Sequence, residues 1–312
     1  MATSTPAEAL EWEAKQGPRA AIAAAIGALL VILSGVATAT LFKDAPVTGF
    51  ADSLARGGRA GGVGSLPSLR LPYYQFYDDK ATSVLLTAIG RGLGFVAIAF
   101  MLTYLGTAVR NRATAFRGFW IGLALAGGLL GAIATVMFTV GTSTEISNFL
   151  NGAHTVDRAN DIGNSSVLVA AQLIGIPGTQ AIGLSSLALG LGWVVICLNA
   201  MRIGLLTRFM GVLGVICGAL IVLPILSPLP IVQTFWLGAM AALLAGRWPN
   251  GVPPAWTTGE AVPWPSQAKV RESRRAQVAE QAEAAERGAP APRCSDQPHP
   301  AASKKKKRKR RS

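Results

Sequence analysis

Charge is scarce in this chain. Only 14% of its 312 residues are Asp, Glu, Lys or Arg, where a soluble domain carries about 25%. Hydrophobic residues make up 51% and the mean hydropathy is +0.40. These figures exclude a disordered chain and argue against an ordinary soluble enzyme. Histidine is nearly absent. His154 and His299 are too few to build a histidine metal site. Cysteine is equally sparse: Cys197 and Cys217 lie in apolar runs and Cys294 in a polar tail, so no disulfide framework is implied. No predicted span contains Asp or Glu, and we find no nucleophile–base arrangement, carboxylate pair or metal-binding helix motif. An enzymatic centre is therefore not expected, and neither is a cofactor.

What the chain does have is long uncharged apolar runs. A helix needs about 20 residues to cross roughly 30 Å of hydrocarbon. On that measure the expected fold is an all-α polytopic transmembrane bundle of six spans, near 20–42, 83–109, 118–141, 178–200, 209–226 and 229–247. Residues 1–19 form a short leading segment. It is net negative and the first run is long for a signal peptide, which suggests a retained span. The uncharged stretch 162–201 is twice the length one crossing requires. A Gly175-Ile-Pro-Gly178 break makes 162–177 a kinked extension or an interfacial segment.

Basic residues set the expected orientation. Arg110, Arg112 and Arg117 lie in one short loop, Arg202 and Arg208 in another, and Arg247 opens the tail. Short basic loops stay cytoplasmic, so both termini are expected inside. The tail, 249–312, begins with a stretch rich in Pro, Gly and Trp. Trp248, Trp256 and Trp264 there suit either the headgroup level or an extended linker. A charged helix over about 266–287 follows. The chain then ends in Lys304, Lys305, Lys306, Lys307, Arg308, Lys309, Arg310 and Arg311. Such a run is drawn to anionic lipid headgroups by about 1 kcal/mol per charge near the surface. Nothing aromatic accompanies it to favour nucleic acid.

Few residues suggest a site. Arg91 is the one charge within the body of a span, and an intramembrane ionisable group is a functional candidate by default. Its place about one turn below the outer surface equally suits snorkelling or a loop partner. Gln172, Gln180 and Asn199 are the polar span residues that a transport path would use with it; such groups also bond between helices. Glu145, His154, Asp157 and Asp161 share one outer loop, but Arg158 sits among them, which favours a solvated loop over a metal site. Asn164-Ser-Ser166 matches a glycosylation sequon. The Gly57–Gly64 stretch lacks the ending of a phosphate loop. Tyr73, Tyr74, Phe76 and Tyr77 have the composition of an interfacial aromatic belt. The pairs Gly90/Gly94, Gly118/Gly122, Gly127/Gly131 and Gly214/Gly218 have the spacing for close helix packing, within the chain or in a homo-oligomer.

The stretch Leu205-Leu-Thr-Arg-Phe-Met-Gly-Val-Leu-Gly214, with the six-span layout, resembles uncharacterised multi-pass membrane proteins of high-GC actinobacteria, a domain-of-unknown-function class. The resemblance covers roughly residues 17–248 and implies a bacterial plasma-membrane location. It implies no catalytic residues. The expectation is an integral membrane protein without an enzymatic centre. The alternative is a small-solute or ion transporter or channel.

Overall fold

The computed structural model describes residues 5–46, 67–162, 178–223, 230–249, 251–264 and 275–281. Two compact units divide the chain, 1–264 and 265–312. In the second, residues 275–281 are helical, within the charged segment expected at 266–287. The polybasic run, the Gly57–Gly64 stretch, Gln172, the segment 163–177 and the Asn164 sequon lie outside the described residues.

The first unit is helical. Its main elements are α1 (Pro6–Leu41), α2 (Leu71–Asp79), α3 (Ala81–Arg112), α4 (Phe119–Leu150), α5 (Gly178–Arg202), α6 (Arg208–Val222), α7 (Ile231–Leu244) and α8 (Ala255–Thr258). No described residue belongs to a named strand; Pro67 and Thr155 form one isolated bridge. Four helices are long and apolar enough to cross a membrane: α1, α3, α4 and the Ile182–Arg202 part of α5. Helices α6 and α7 are apolar but have 15 and 14 residues, about 22 and 21 Å. They fall short of the spans expected at 209–226 and 229–247.

The boundary at residue 19 moves. Helix α1 runs without a break from Pro6, so residues 6–19 belong to the first helix. The local reason is a capping box. Thr5 Oγ1 accepts from the Glu8 amide at 3.3 Å, and the Glu8 carboxylate accepts from the Thr5 amide at 2.7 Å. Pro6 stands in the first turn, where no donor is lost. Helix α4, the third expected span, also overshoots its expected end, continuing from residue 141 to Leu150.

In the bundle, α3 packs on both α1 and α4, α5 on α4, α6 on α5, and α7 on α1. The α6–α7 pair closes the ring. Trp193 of α5 and Trp236 of α7 meet at its centre, 4.9 Å apart, and both are fully buried. Around them lie Met101, Leu102, Leu105, Ile196 and Met240. The outer faces are apolar too. On α1, Ile22, Ile26, Leu29, Leu33 and Val36 form an exposed stripe at helical spacing. An apolar outer surface of this kind suits lipid and not water.

One end of the bundle is sealed by the chain that follows α7. The Trp256 indole donates to Leu205 O at 2.8 Å, and the Trp264 indole to Leu206 O at 2.9 Å. Val262 N donates to Ile203 O at 3.0 Å. Gly204, at φ +81°, lets Val262 O approach where a Cβ would stand. Trp12, Tyr104 and Trp256 stack in order, with centroids 5.2 and 6.1 Å apart. Residues 251–264 are thus a strap packed on the bundle. The tail boundary at 249, with its linker or headgroup reading of Trp256 and Trp264, is corrected. Aromatic burial and indole hydrogen bonds outweigh the loop-like composition.

The opposite end carries a small cap. Tyr74 and Tyr77 of α2 are buried with Ile146, Phe149, Ala159 and Ile162. Tyr74 Oη donates to Ala159 O at 3.3 Å. These two tyrosines pack inside protein, not along a headgroup belt. Lys80 Nζ donates to the Leu41 carbonyl at 3.1 Å, at the C-terminal end of α1, and lies 4.2 Å from the Phe76 ring centroid.

Candidate functional site: an intramembrane cavity

Because α6 and α7 are short, they do not extend the full length of the helices beside them. Between α1, α3, α4 and α5, at the level where α6 ends and α7 begins, lies a cavity of about 950 Å³. This is near the upper end of the range for small-molecule sites, about 300–1,000 Å³. Its walls are mostly apolar. Val31 and Phe42 come from α1 and its end, Phe95 and Ile98 from α3, Phe138 from α4, and Leu220 and Ile221 from α6. A smaller space of about 160 Å³ shares Thr38, Phe42, Arg91, Thr135 and Thr139 with it and extends to Val84 and Thr87.

Polar groups are few and placed. Arg91 lines both spaces, and its Nη2 donates to Thr38 Oγ1 of α1 at 3.0 Å. Arg91 lies ten residues into α3, about 15 Å from its start. The hydroxyls turn back to their own helices: Ser34 to Val31 O, Thr38 to Ser34 O, Thr139 to Thr135 O, and Ser185 to Ile182 O. That satisfies each hydroxyl proton and leaves its oxygen lone pairs available as acceptors. Gln233 of α7 differs. It is 8% exposed, it lines the cavity, and its Oε1 has no hydrogen-bond partner. A buried amide oxygen left unpaired costs about 1–3 kcal/mol.

The lining residues include one cation, Arg91, and no carboxylate, histidine, cysteine or lysine among those described. The described ion pairs, Arg112–Glu13 and Arg158–Glu145, do not involve Arg91. Hydroxyls bonded to backbone carbonyls, with no base beside them, cannot act as an activated nucleophile.

Of the four residues expected to converge, Arg91 faces the cavity. Asn199 does not: its Nδ2 donates to Val195 O of its own helix at 2.8 Å, and it does not line the cavity. Gln172 lies outside the described residues, as does the Gln180 side chain. Sequence reasoning missed Gln233 and the hydroxyl pairs Ser34/Thr38 and Thr135/Thr139. The pairs have i,i+4 spacing in apolar helices, a signal that marks one polar face.

Glu145, His154, Asp157 and Asp161 do not assemble into one site. Glu145 Oε2 takes an ion pair from Arg158 at 3.5 Å, and His154 Nε2 lies 2.9 Å from Leu150 O. No group of three potential ligands is present among the described residues. The glycine pairs divide. Gly127 and Gly131 back onto α5, and Gly214 and Gly218 receive α5 and α7, whereas Gly90 and Gly122 face open space.

Compared with protein-family models, curated proteins and solved structures, the chain matches none.

Proposed function

We propose that this chain is an integral plasma-membrane protein that crosses the bilayer six times and holds a small, mostly apolar molecule in the cavity beside Arg91. It acts as a binding or carrier protein and not as an enzyme. The observation that carries this reading is the cavity: about 950 Å³ of largely apolar space with one cation and an unpaired buried amide. The short α6–α7 pair completes the count of six. Arg112, Arg202 and Arg247 all lie at the strap end, so the rule that basic loops stay inside places that end in the cytoplasm. The polybasic run 304–311 then faces the anionic inner leaflet.

The test is a fluorescent apolar probe titrated into the purified protein in nanodiscs. Ser186 lines the cavity and is half-buried, so Ser186→Trp fills the space without opening the core. We expect saturable binding by the wild type and its loss in Ser186→Trp and in Thr135→Trp. Saturable binding that both fillers leave unchanged would overturn the reading.

A further inference from the structure

The cavity's polar groups specify more than a hydrophobic guest. Resting on the binding-protein reading above, we infer that the occupant is a single-chain anionic amphiphile. Its carboxylate or phosphate head lies on Arg91 and its tail runs toward Ile98 and Ile221.

The head assignment follows from charge. Arg91 carries a permanent positive charge. It donates to a neutral hydroxyl, Thr38 Oγ1 at 3.0 Å, and no carboxylate lines either space among the described residues. Arg91 is exposed on the bundle surface as well as lining the cavity, and it sits in a helix long and apolar enough to cross a membrane; in a bilayer such a cation is costly unless an anion accompanies it. Thr38 takes up one of the five guanidinium hydrogens. The others remain for a forked contact with two oxygens of a carboxylate or phosphate. Thr135 and Thr139 stand on the facing helix, beside Arg91 in both spaces.

The tail assignment follows from the rest of the wall. Beyond the Arg91 level the lining is Phe95, Ile98, Phe138, Leu220 and Ile221, with no second charge. The volume equals that of on the order of 30 water molecules. Water held there would face apolar side chains and lose hydrogen bonds, so an alkyl chain is favoured. Gln233 adds a specific contact. Its unpaired Oε1 is a buried acceptor, and it suits a hydroxyl or amide N–H carried part-way along the guest. A free anion would leave the apolar walls and Gln233 without a partner. A neutral hydrocarbon would leave Arg91 without an anion.

The experiment uses the full chain in nanodiscs of neutral lipid. Binding of a long-chain carboxylate, the matching phosphate monoester and the matching alcohol is measured by displacement of the fluorescent apolar probe. We expect both anions to bind at least tenfold more tightly than the alcohol, the usual scale for one charge-assisted contact. Arg91→Gln should remove that preference, bringing both anions to within about twofold of the alcohol. Arg91→Lys keeps the charge and should retain part of the preference, which separates loss of charge from misfolding. Inorganic phosphate in large excess should not displace the probe. If it does, the site is one for a free anion and the amphiphile assignment falls. If Arg91→Gln leaves the anion preference intact while Ser186→Trp abolishes all binding, the head assignment is wrong and the cavity reading stands. If Ser186→Trp leaves the binding of all three unchanged, the cavity reading itself fails.

Discussion

Arg112 of α3 grips Glu13 of α1 at both carboxylate oxygens, and the Nη2–Oε2 contact is 2.8 Å. The same guanidinium donates to Ala255 O in the strap from Nε at 3.2 Å and Nη2 at 2.8 Å, and to Ala108 O at 3.1 Å. Both side chains are almost wholly covered, at 0% and 6% exposure. One residue thus joins the leading turns of α1, the end of α3 and the strap after α7. Removing one partner of such a pair leaves a buried charge and costs about 3–5 kcal/mol. Glu13→Ala and Arg112→Ala should each lower the unfolding temperature sharply in detergent. Replacing both with apolar residues should cost less than the two single changes added together. A double-mutant cycle that came out additive would mean that the contact carries no coupling.

Close helix approach is tested by two glycines on one helix. At Gly127 of α4, a Cβ would meet the Leu189 backbone of α5, with Leu189 Cα only 2.9 Å away. At Gly122, five residues earlier on the same helix, a Cβ would meet nothing within 4 Å. Gly127→Ala should destabilise by about 1–3 kcal/mol, the scale of overpacking. Gly122→Ala should leave thermal stability unchanged or slightly raised. Equal effects would show that the α4–α5 contact is looser than these distances imply.

Much of the bundle was legible because bilayer length and apolar composition act together. The core of α3 around residues 83–109 follows from an apolar run that holds one charge, Arg91, and ends at Arg110. The leading turns of α1 were hidden by Glu8, Glu11 and Glu13, which read as solvated acids until Arg112 is seen opposite Glu13. No local rule pairs residues 99 positions apart. The strap was hidden for a related reason. Its Pro- and Gly-rich composition suits a linker, and only the carbonyls of Leu205 and Leu206 turn its tryptophans inward. For the site, Arg91 stood out because a lone charge in an apolar run is costly. Gln233 did not, because one amide near the start of a span has an ordinary composition, and its exposure to a cavity depends on the shortness of α6 and α7.

The cap at the far end has its own pH limit. Burial pushes the Tyr77 hydroxyl above its ordinary value of 10.0 and Tyr73 pushes it the same way, while a hydrogen bond with Ser143 opposes them. Tyr73 is raised as well, chiefly by burial. A group whose folded value exceeds its unfolded one contributes stability fully below the unfolded value and loses it as pH rises through the folded value. The α2 cap should therefore be unaffected at neutral pH and loosen above about pH 10. Near-ultraviolet circular dichroism across pH 8–12 should show the loss, and Tyr77→Phe should diminish it. A signal flat through that range in the wild type would contradict the account.

Topology can be read chemically. Thr114 lies in the short α3–α4 loop and Arg247 beyond α7, both exposed, while Gly152 is exposed beside the cap. With Cys294 replaced by serine, and Cys197 and Cys217 both buried, single cysteines at 114, 152 and 247 should react selectively. A membrane-impermeant maleimide added to intact cells should label 152 and spare 114 and 247. Labelling of 114 from outside would invert the proposed orientation. Opposite behaviour of 114 and 247 would reduce the number of crossings contributed by α6 and α7.

Two truncations separate the strap from the tail beyond it. Residues after Trp264 form a separate compact unit, so ending the chain at 264 should leave insertion and thermal stability nearly unchanged. Ending it at 248 removes much more. It deletes the Ala255 carbonyl that holds Arg112, the Trp256 ring that stacks on Tyr104 at 6.1 Å, and the Val262 amide bonded to Ile203 O. It also exposes the Leu205 and Leu206 carbonyls that the two indoles occupy. Each uncovered hydrogen bond is worth about 1 kcal/mol, and Trp256 adds the burial of a large apolar surface. The shorter form should therefore unfold at a clearly lower temperature, and its α1 should become sensitive to protease near Glu13. The isolated segment 289–312 should meanwhile bind vesicles of anionic lipid at low salt and release at high salt, because the attraction is screened over about 8 Å at physiological ionic strength. If the 264 truncation proves as unstable as the 248 truncation, the second unit supports the bundle and the strap is not where folding of the first unit ends.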